Sequence, residues 1–179
     1  MKSFSKILLL LLLIFVSAAL SQTTSVGVGL IKYYEGFRAK SYRCPANVFT
    51  IGYGHTGKDV FKNEIITKSQ GEQLLIKDLF GFEKYVDRTI SRNLKWHEFD
   101  AIVAFTFNVG YRLSGKYDNP VLRNAVNTGN TNVVIIKLKQ YNKAKVNGVY
   151  VVLLGLVKRR NSETHLYSDA NFKLSLYVL

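Results

Sequence analysis

The residues able to do chemistry crowd into one short stretch: Glu35, Arg38, Tyr42, Cys44, Thr50 and His55. Glu35 offers a carboxylic acid, Cys44 a thiol, Thr50 a hydroxyl that both donates and accepts, and His55 an imidazole. Tyr33, Tyr34 and Phe37 flank Glu35 in sequence. An aromatic surround disfavours an ionised carboxylate, which is the condition a general acid needs. A glutamate at a helix end is equally at home as a solvated surface residue, so its neighbours alone do not single it out. A different pairing, Cys44 with His55, would make a cysteine hydrolase, but it requires the two in contact, a third orienting group and an oxyanion hole. His55, His97 and His165 lie far apart without ligand spacing, so no metal is expected.

These residues need elements to position them. Ser25 to Glu35 carries Val26, Leu30, Ile31 and Tyr34 at helical spacing, and Gly36 supplies a stop, which puts Glu35 at a helix C-terminus. Phe49, Ile51 and Tyr53 alternate with Thr50, Gly52 and Gly54 as in a short strand, with a turn upstream at Pro45 and Asn47, so a small hairpin sheet is predicted. Thr67 can cap a helix running to about Arg88, with Leu74, Leu75, Leu79, Phe82 and Val86 on its spacing. Further helices are predicted over Trp96 to Asn108, Pro120 to Asn127, Thr131 to Tyr141 and Leu156 to Ser168. The third of these overrides a β-branched run at Val133 to Leu138, whereas Asn147 to Leu154 reads as loop or short extended structure. Phe99, Phe105, Phe107 and Trp96 read as core. The fold class is α+β, mostly α, with one small sheet near the N-terminus.

The run Glu35-Gly36-Phe37-Arg38, then Tyr42, then Thr50-Ile51-Gly52-Tyr53-Gly54-His55-Thr56 resembles the signature of the phage-type lysozymes, glycoside hydrolase family 24. In that family a Glu is followed nine residues later by Asp or Cys and six after that by Thr, which here gives Glu35, Cys44 and Thr50. Three later blocks resemble the family in the same order. They are Leu74-Leu75 with Asp78-Leu79, Phe99-Asp100-Ala101 through Phe105 to Phe107-Asn108-Val109-Gly110, and Gly155 to Arg160 with Glu163. The resemblance covers roughly residues 25 to 168.

It implies a lysozyme-like fold with a helical lobe and an inverting hydrolysis of peptidoglycan glycan strands, without a cofactor. Glu35 would be the general acid, and Cys44 with Thr50 would hold the attacking water. Glycosidases generally set two carboxyl groups across the scissile bond, yet no Asp or Glu stands between Glu35 and Asp59. Cys44 occupies the base-side position instead and must ionise to serve, with Arg43 adjacent in sequence but directed to the other face of a strand. Asn108 and Arg160 are expected at the substrate. His55 and Arg159 are expected behind the site, His55 paired with a carboxylate and Arg159 or its neighbour facing Glu35. Arg160 and Glu163 alternatively make an ordinary surface pair at i,i+3. The rival reading is a non-catalytic, cationic wall-binding homologue.

Composition bounds the setting. The 179 residues suit one domain, and only Pro45 and Pro120 interrupt the chain, with no low-complexity linker. Lys2 and Lys6 precede an apolar run from Ile7 to Leu20 and small residues to Ser21, the layout of a signal peptide, predicting residues 1–21 as leader and 22–179 as the lysozyme domain. The run is short for a membrane anchor. Loss of those two lysines takes little from a net charge of +13, which favours anionic cell-wall partners, with export disfavouring nucleic acid. The expectation is a monomer acting on bacterial peptidoglycan, secreted or held in the lumen of a lysosome- or phagosome-like vesicle, without stable membrane insertion after cleavage.

Overall fold

The computed structural model describes residues 22–44 and 47–174, so the segment 1–21 expected to be a leader and Pro45 lie outside the described residues. Helix α1 (Ser25–Glu35) starts where the Thr24 hydroxyl accepts from the Val26 N–H, and it stops at Gly36, whose φ of 67° suits glycine. Strands β1 (Arg38–Arg43), β2 (Phe49–Gly52) and β3 (His55–Thr56) follow as one antiparallel sheet in that order. The sheet has three strands where a hairpin was expected. In Arg38–Arg43 only Ser41 is buried, so β1 has no apolar alternation to betray it.

Helix α2 (Lys68–Thr89) opens on a reciprocal capping box of Thr67 and Gln70. Next come α3 (Trp96–Val109), a 3₁₀ turn at Gly115–Tyr117, α4 (Pro120–Thr128) and α5 (Thr131–Lys139). Strands β4 (Lys143–Val146) and β5 (Val149–Val152) then lead into α6 (Leu154–Ser168). The β-branched run of α5 is helical, as expected. Asn130 caps it, and Val134 and Leu138 are buried one turn apart, so packing outweighs propensity. The segment after Asn142 forms an antiparallel hairpin around Asn147 and Gly148, with φ of 48° and 86°. That Asn-Gly pair is a strong two-residue turn signal.

Helix α3 is buried from His97 through Thr106, polar side chains included, with Ala101 through Phe105 wholly enclosed. The main core forms around it, from Leu30 and Ile31 of α1 to Leu166 and Tyr167 of α6. Trp96 does not join it. Standing at the first position of α3 it is 41% exposed, a correction to the expected core tryptophan. A second, smaller cluster of Ile51, Val60 and Ile66 lies under the sheet, and Phe37 packs against both. The sheet therefore has its own small core beside the helical lobe. Helix α2 touches both, and the fit is close: a Cβ at Gly52 would stand 3.4 Å from Gly71 Cα, and one at Gly71 would stand 2.6 Å from Phe37 Cε2.

Two buried carboxylates fix α3. Asp100 accepts from the Thr24 N–H at 2.9 Å, the Thr24 hydroxyl, and the Gly27 N–H at 3.1 Å, which ties α1 across it. Glu98 accepts from the Lys95 N–H at 2.8 Å and takes both Arg92 terminal nitrogens, at 3.1 and 3.0 Å. Burial pushes the Glu98 carboxyl up, but the Arg92 and Lys95 hydrogen bonds and the Arg92 charge outweigh it and hold it below the ordinary carboxylate range. Its contribution to stability is thus present above that range and lost as pH falls through its lowered folded value. Glu98→Gln is expected to lose about 1–3 kcal/mol at neutral pH. In urea titrations the gap from the native protein should shrink markedly by pH 3.

Candidate active site

The site is built outward from Glu163, wholly buried on α6. Its Oε1 accepts from Arg159 Nε at 3.0 Å and Arg160 Nη2 at 2.8 Å, one turn back on the same helix. Burial pushes the Glu163 carboxyl up, against the pull of Arg160 and Arg159. Each arginine then reaches another element. Arg159 Nη1 donates to Glu35 Oε1 at 2.6 Å and its Nη2 to the Ala104 carbonyl at 3.3 Å, while Arg160 Nη2 donates to Asn108 Oδ1 at 2.8 Å. Two carboxylates and two guanidiniums thus alternate in one network, and the acid end of α1 and the C-terminal end of α3 are both fastened to α6.

Glu35 and Asn108 line a cavity of about 330 Å³. The sheet side contributes Gly54 and Thr56, α2 contributes Asp78 and Phe82, and Phe107 stands beside Asn108. Gly54 has φ of 96°, and a Cβ there would stand 3.8 Å from Glu35 Oε2, so glycine serves both the turn and the space beside the acid. Glu35 Oε1 is held by Arg159, whereas Oε2 has no hydrogen-bond partner among the described residues. Asp78, the other carboxylate of the cavity, is engaged: both its oxygens lie 2.9 Å from His55 Nδ1.

His55 is buried between two aspartates, with Asp59 Oδ1 3.3 Å from Nε2. It pairs with carboxylates as expected. Both ring nitrogens thus face carboxylate oxygens. Thr50, 3% exposed, donates its hydroxyl to the Val48 carbonyl at 3.3 Å, and the Cys44 N–H donates to the same oxygen at 2.9 Å. The two residues therefore meet at one turn. Neither lines the cavity at Glu35, but Thr50 is the register partner of Thr56, which does.

Two expectations need correction. Arg160, expected at the substrate, is 1% exposed, over the Phe105 ring and against Asn108 and Glu163, so it positions Asn108 from within and its pair with Glu163 is a buried one. The aromatics flanking Glu35 also turn to other partners: Tyr34 to Ser162, Tyr33 to Tyr34, and Phe37 to Tyr53. The group at the Glu35 carboxylate is a guanidinium. Asp78 and Phe82 were missed as cavity residues, although their i,i+4 spacing places them on one face of α2.

A small sheet and a helical lobe facing a cleft that holds one available carboxyl oxygen define an enzyme of the lysozyme-like muramidase class. The chain belongs to the phage lysozyme family, whose model matches residues 32–163. It is similar to the endolysin of Acyrthosiphon pisum secondary endosymbiont phage 1, 35% identical over 80% of this chain and 96% of that protein. It is also similar to the endolysin of Bacillus phage PZA, 32% identical over 85% of this chain, and spans 57% of that longer relative. Among solved structures, the muramidase domain of SpmX from Asticaccaulis excentricus superposes with a TM-score of 0.75 at 31% identity, covering 83% of this chain and 98% of that one. An endolysin from Escherichia coli O157:H7 phage FAHEc1 gives 0.77 at 31%, covering 86% and 97%.

Glu163→Gln would leave Arg159 and Arg160 buried around a neutral side chain. A loss of about 3–5 kcal/mol is expected in denaturant unfolding, the range for breaking a buried pair from one side.

Proposed function

We propose that this protein hydrolyses the β-1,4 bond between N-acetylmuramic acid and N-acetylglucosamine in bacterial peptidoglycan, with inversion. The carrying observation is the asymmetry of Glu35, with Oε1 tied to Arg159 and Oε2 without a partner in the cavity. Oε2 is the atom that gives its proton to the leaving glycosidic oxygen. Protonation of Glu35 does not strip Arg159 of its counter-ion, because its Nε remains on Glu163.

On the other side of the sugar, the thiolate of Cys44 takes a proton from the attacking water while Thr50 orients it. What supports this pairing is the shared turn at Val48 and the register of Thr50 with Thr56. The water's oxygen joins the anomeric carbon as the bond to the leaving oxygen breaks, so one proton is given and one taken. Secretion, or delivery to a lysosome-like lumen, and action as a monomer complete the proposal.

Glu35→Gln should lower the release of reducing ends from purified peptidoglycan by at least about 10²-fold, the scale of general acid catalysis, with wall binding retained. Undiminished turnover in that variant, or wall binding by the native protein without turnover, overturns the reading. Cys44→Asp should keep much of the activity and Cys44→Ala lose most of it. Full activity in Cys44→Ala would take the cysteine out of the mechanism.

A further inference from the structure

Phe82 forms part of the cleft wall, and its ring stacks on Tyr111 with centroids 5.2 Å apart and planes at 21°. Tyr111 in turn lines a second cavity of about 680 Å³, with Lys84, Tyr85, Arg88, Ser114 and Arg123 around it. Asp78, Phe82, Tyr85 and Arg88 recur every three or four residues, so a single face of α2 runs from the cleft into this cavity. Ten helical residues span about 15 Å.

Its chemistry differs from that of the cleft. Three cations line it. Arg123 shares its charge with Asp118 at 3.1 Å, Lys84 lies over the Phe80 ring at 4.2 Å, and Arg88 has no ion pair among the described residues. The lining therefore carries excess positive charge beside an aromatic pair. The Tyr85 hydroxyl is already fixed, accepting from the Leu113 N–H at 2.6 Å, so the wall is preorganised. Guanidinium forks match carboxylates, often with two hydrogen bonds at once. The volume is within the range of small-ligand sites.

We propose that this second cavity holds the carboxylate-bearing peptide branch of the same polymer whose glycan occupies the cleft. The proposal rests on the glycosidase reading above. The peptide is joined covalently to the muramic acid and so must lie close to a sugar in the cleft. The shared Phe82–Tyr111 wall gives it a continuous path to Lys84 and Arg88.

The test compares intact, teichoic-acid-free peptidoglycan with the same glycan stripped of its peptides by an amidase. In Lys84→Ala/Arg88→Ala, KM for the intact wall should rise about tenfold, the worth of one charge-assisted contact. kcat on the intact wall and both constants on stripped glycan should stay unchanged. The exposed pair Lys143→Ala/Lys145→Ala, which removes equal charge from the β4–β5 hairpin, should change neither substrate. Equal losses on both substrates, the same loss in the hairpin variant, or no loss at all overturns the proposal. So does a loss confined to walls that carry teichoic phosphate. Binding of free stem peptide to Glu35→Gln, weakened by the double substitution, reads the cavity without turnover. If the native protein cleaves neither glycan, the glycosidase reading fails while the peptide-binding result still stands or falls separately.

Discussion

The active-site geometry depends on one buried carboxylate accepting from two guanidiniums. Glu163 has no exposure, and a lone ion there would be expelled or neutralised. Arg159 and Arg160 keep it, and they are nearly as buried themselves. Each gives only part of its guanidinium to Glu163 Oε1 and also reaches a second acceptor. Those acceptors are Glu35 and Asn108, which both line the cleft. The demand for charge balance inside α6 is thereby converted into positions for two cleft residues on α1 and α3.

The helices were legible because their signals are local. Thr67 with Gln70, Gly36 after Glu35, Pro120 at a helix start and the spacing of Leu75, Leu79 and Val86 all act within a turn or two. Strand β1 was not, since five of its six side chains are not buried and its pairing depends on β2. The second hairpin was half legible: Asn147-Gly148 is a turn signal, but its strands are exposed on both sides and show no alternation. Glu35, Thr50 and Cys44 were singled out through family spacing, and Glu35 lines the cleft. A cation of the Arg159–Arg160 pair facing Glu35 was expected from the family blocks, but which of the two makes the contact was not legible, because 124 positions separate Arg159 from Glu35 and only the folded core closes that distance. For the same reason the aromatic residues next to Glu35 in sequence misled, since helix geometry turns consecutive side chains to different faces.

The sheet and the helical lobe approach closely at glycine, with Phe37 packing against both cores. Gly52 and Gly71 let β2 and α2 touch, and Gly54 leaves the space beside Glu35 Oε2 open. A side chain at Gly71 would run into the Phe37 ring, and Gly52 and Gly54 hold positive φ of 64° and 96° that favour glycine. Helix α3 plays the complementary part. Buried from His97 through Thr106, it is the rigid member against which Asp100 seats α1 and on which Phe107 and Asn108 stand at the cleft. The acid therefore rides on a helix fixed at its start by Asp100 and at its end by Arg159.

A thiol in place of the second carboxylate changes what the proposed reaction depends on. Carboxylates are ionised across the neutral range, whereas a free cysteine is ionised only near a pH of about 8.5 unless a cation stands close. The chain supplies a cation at the turn in question: Arg43 Nη1 donates to the Asn47 carbonyl and to its side-chain oxygen, both at 2.8 Å. Its guanidinium also lies over the Phe49 ring at 4.4 Å. Strand alternation would send Arg43 away from Cys44, but the turn brings its guanidinium back onto the residues that close it. Phe49 and Asn47 hold this exposed guanidinium at the turn. Under the proposed mechanism the base side depends on a reduced, ionised thiol in a way that it would not with an aspartate.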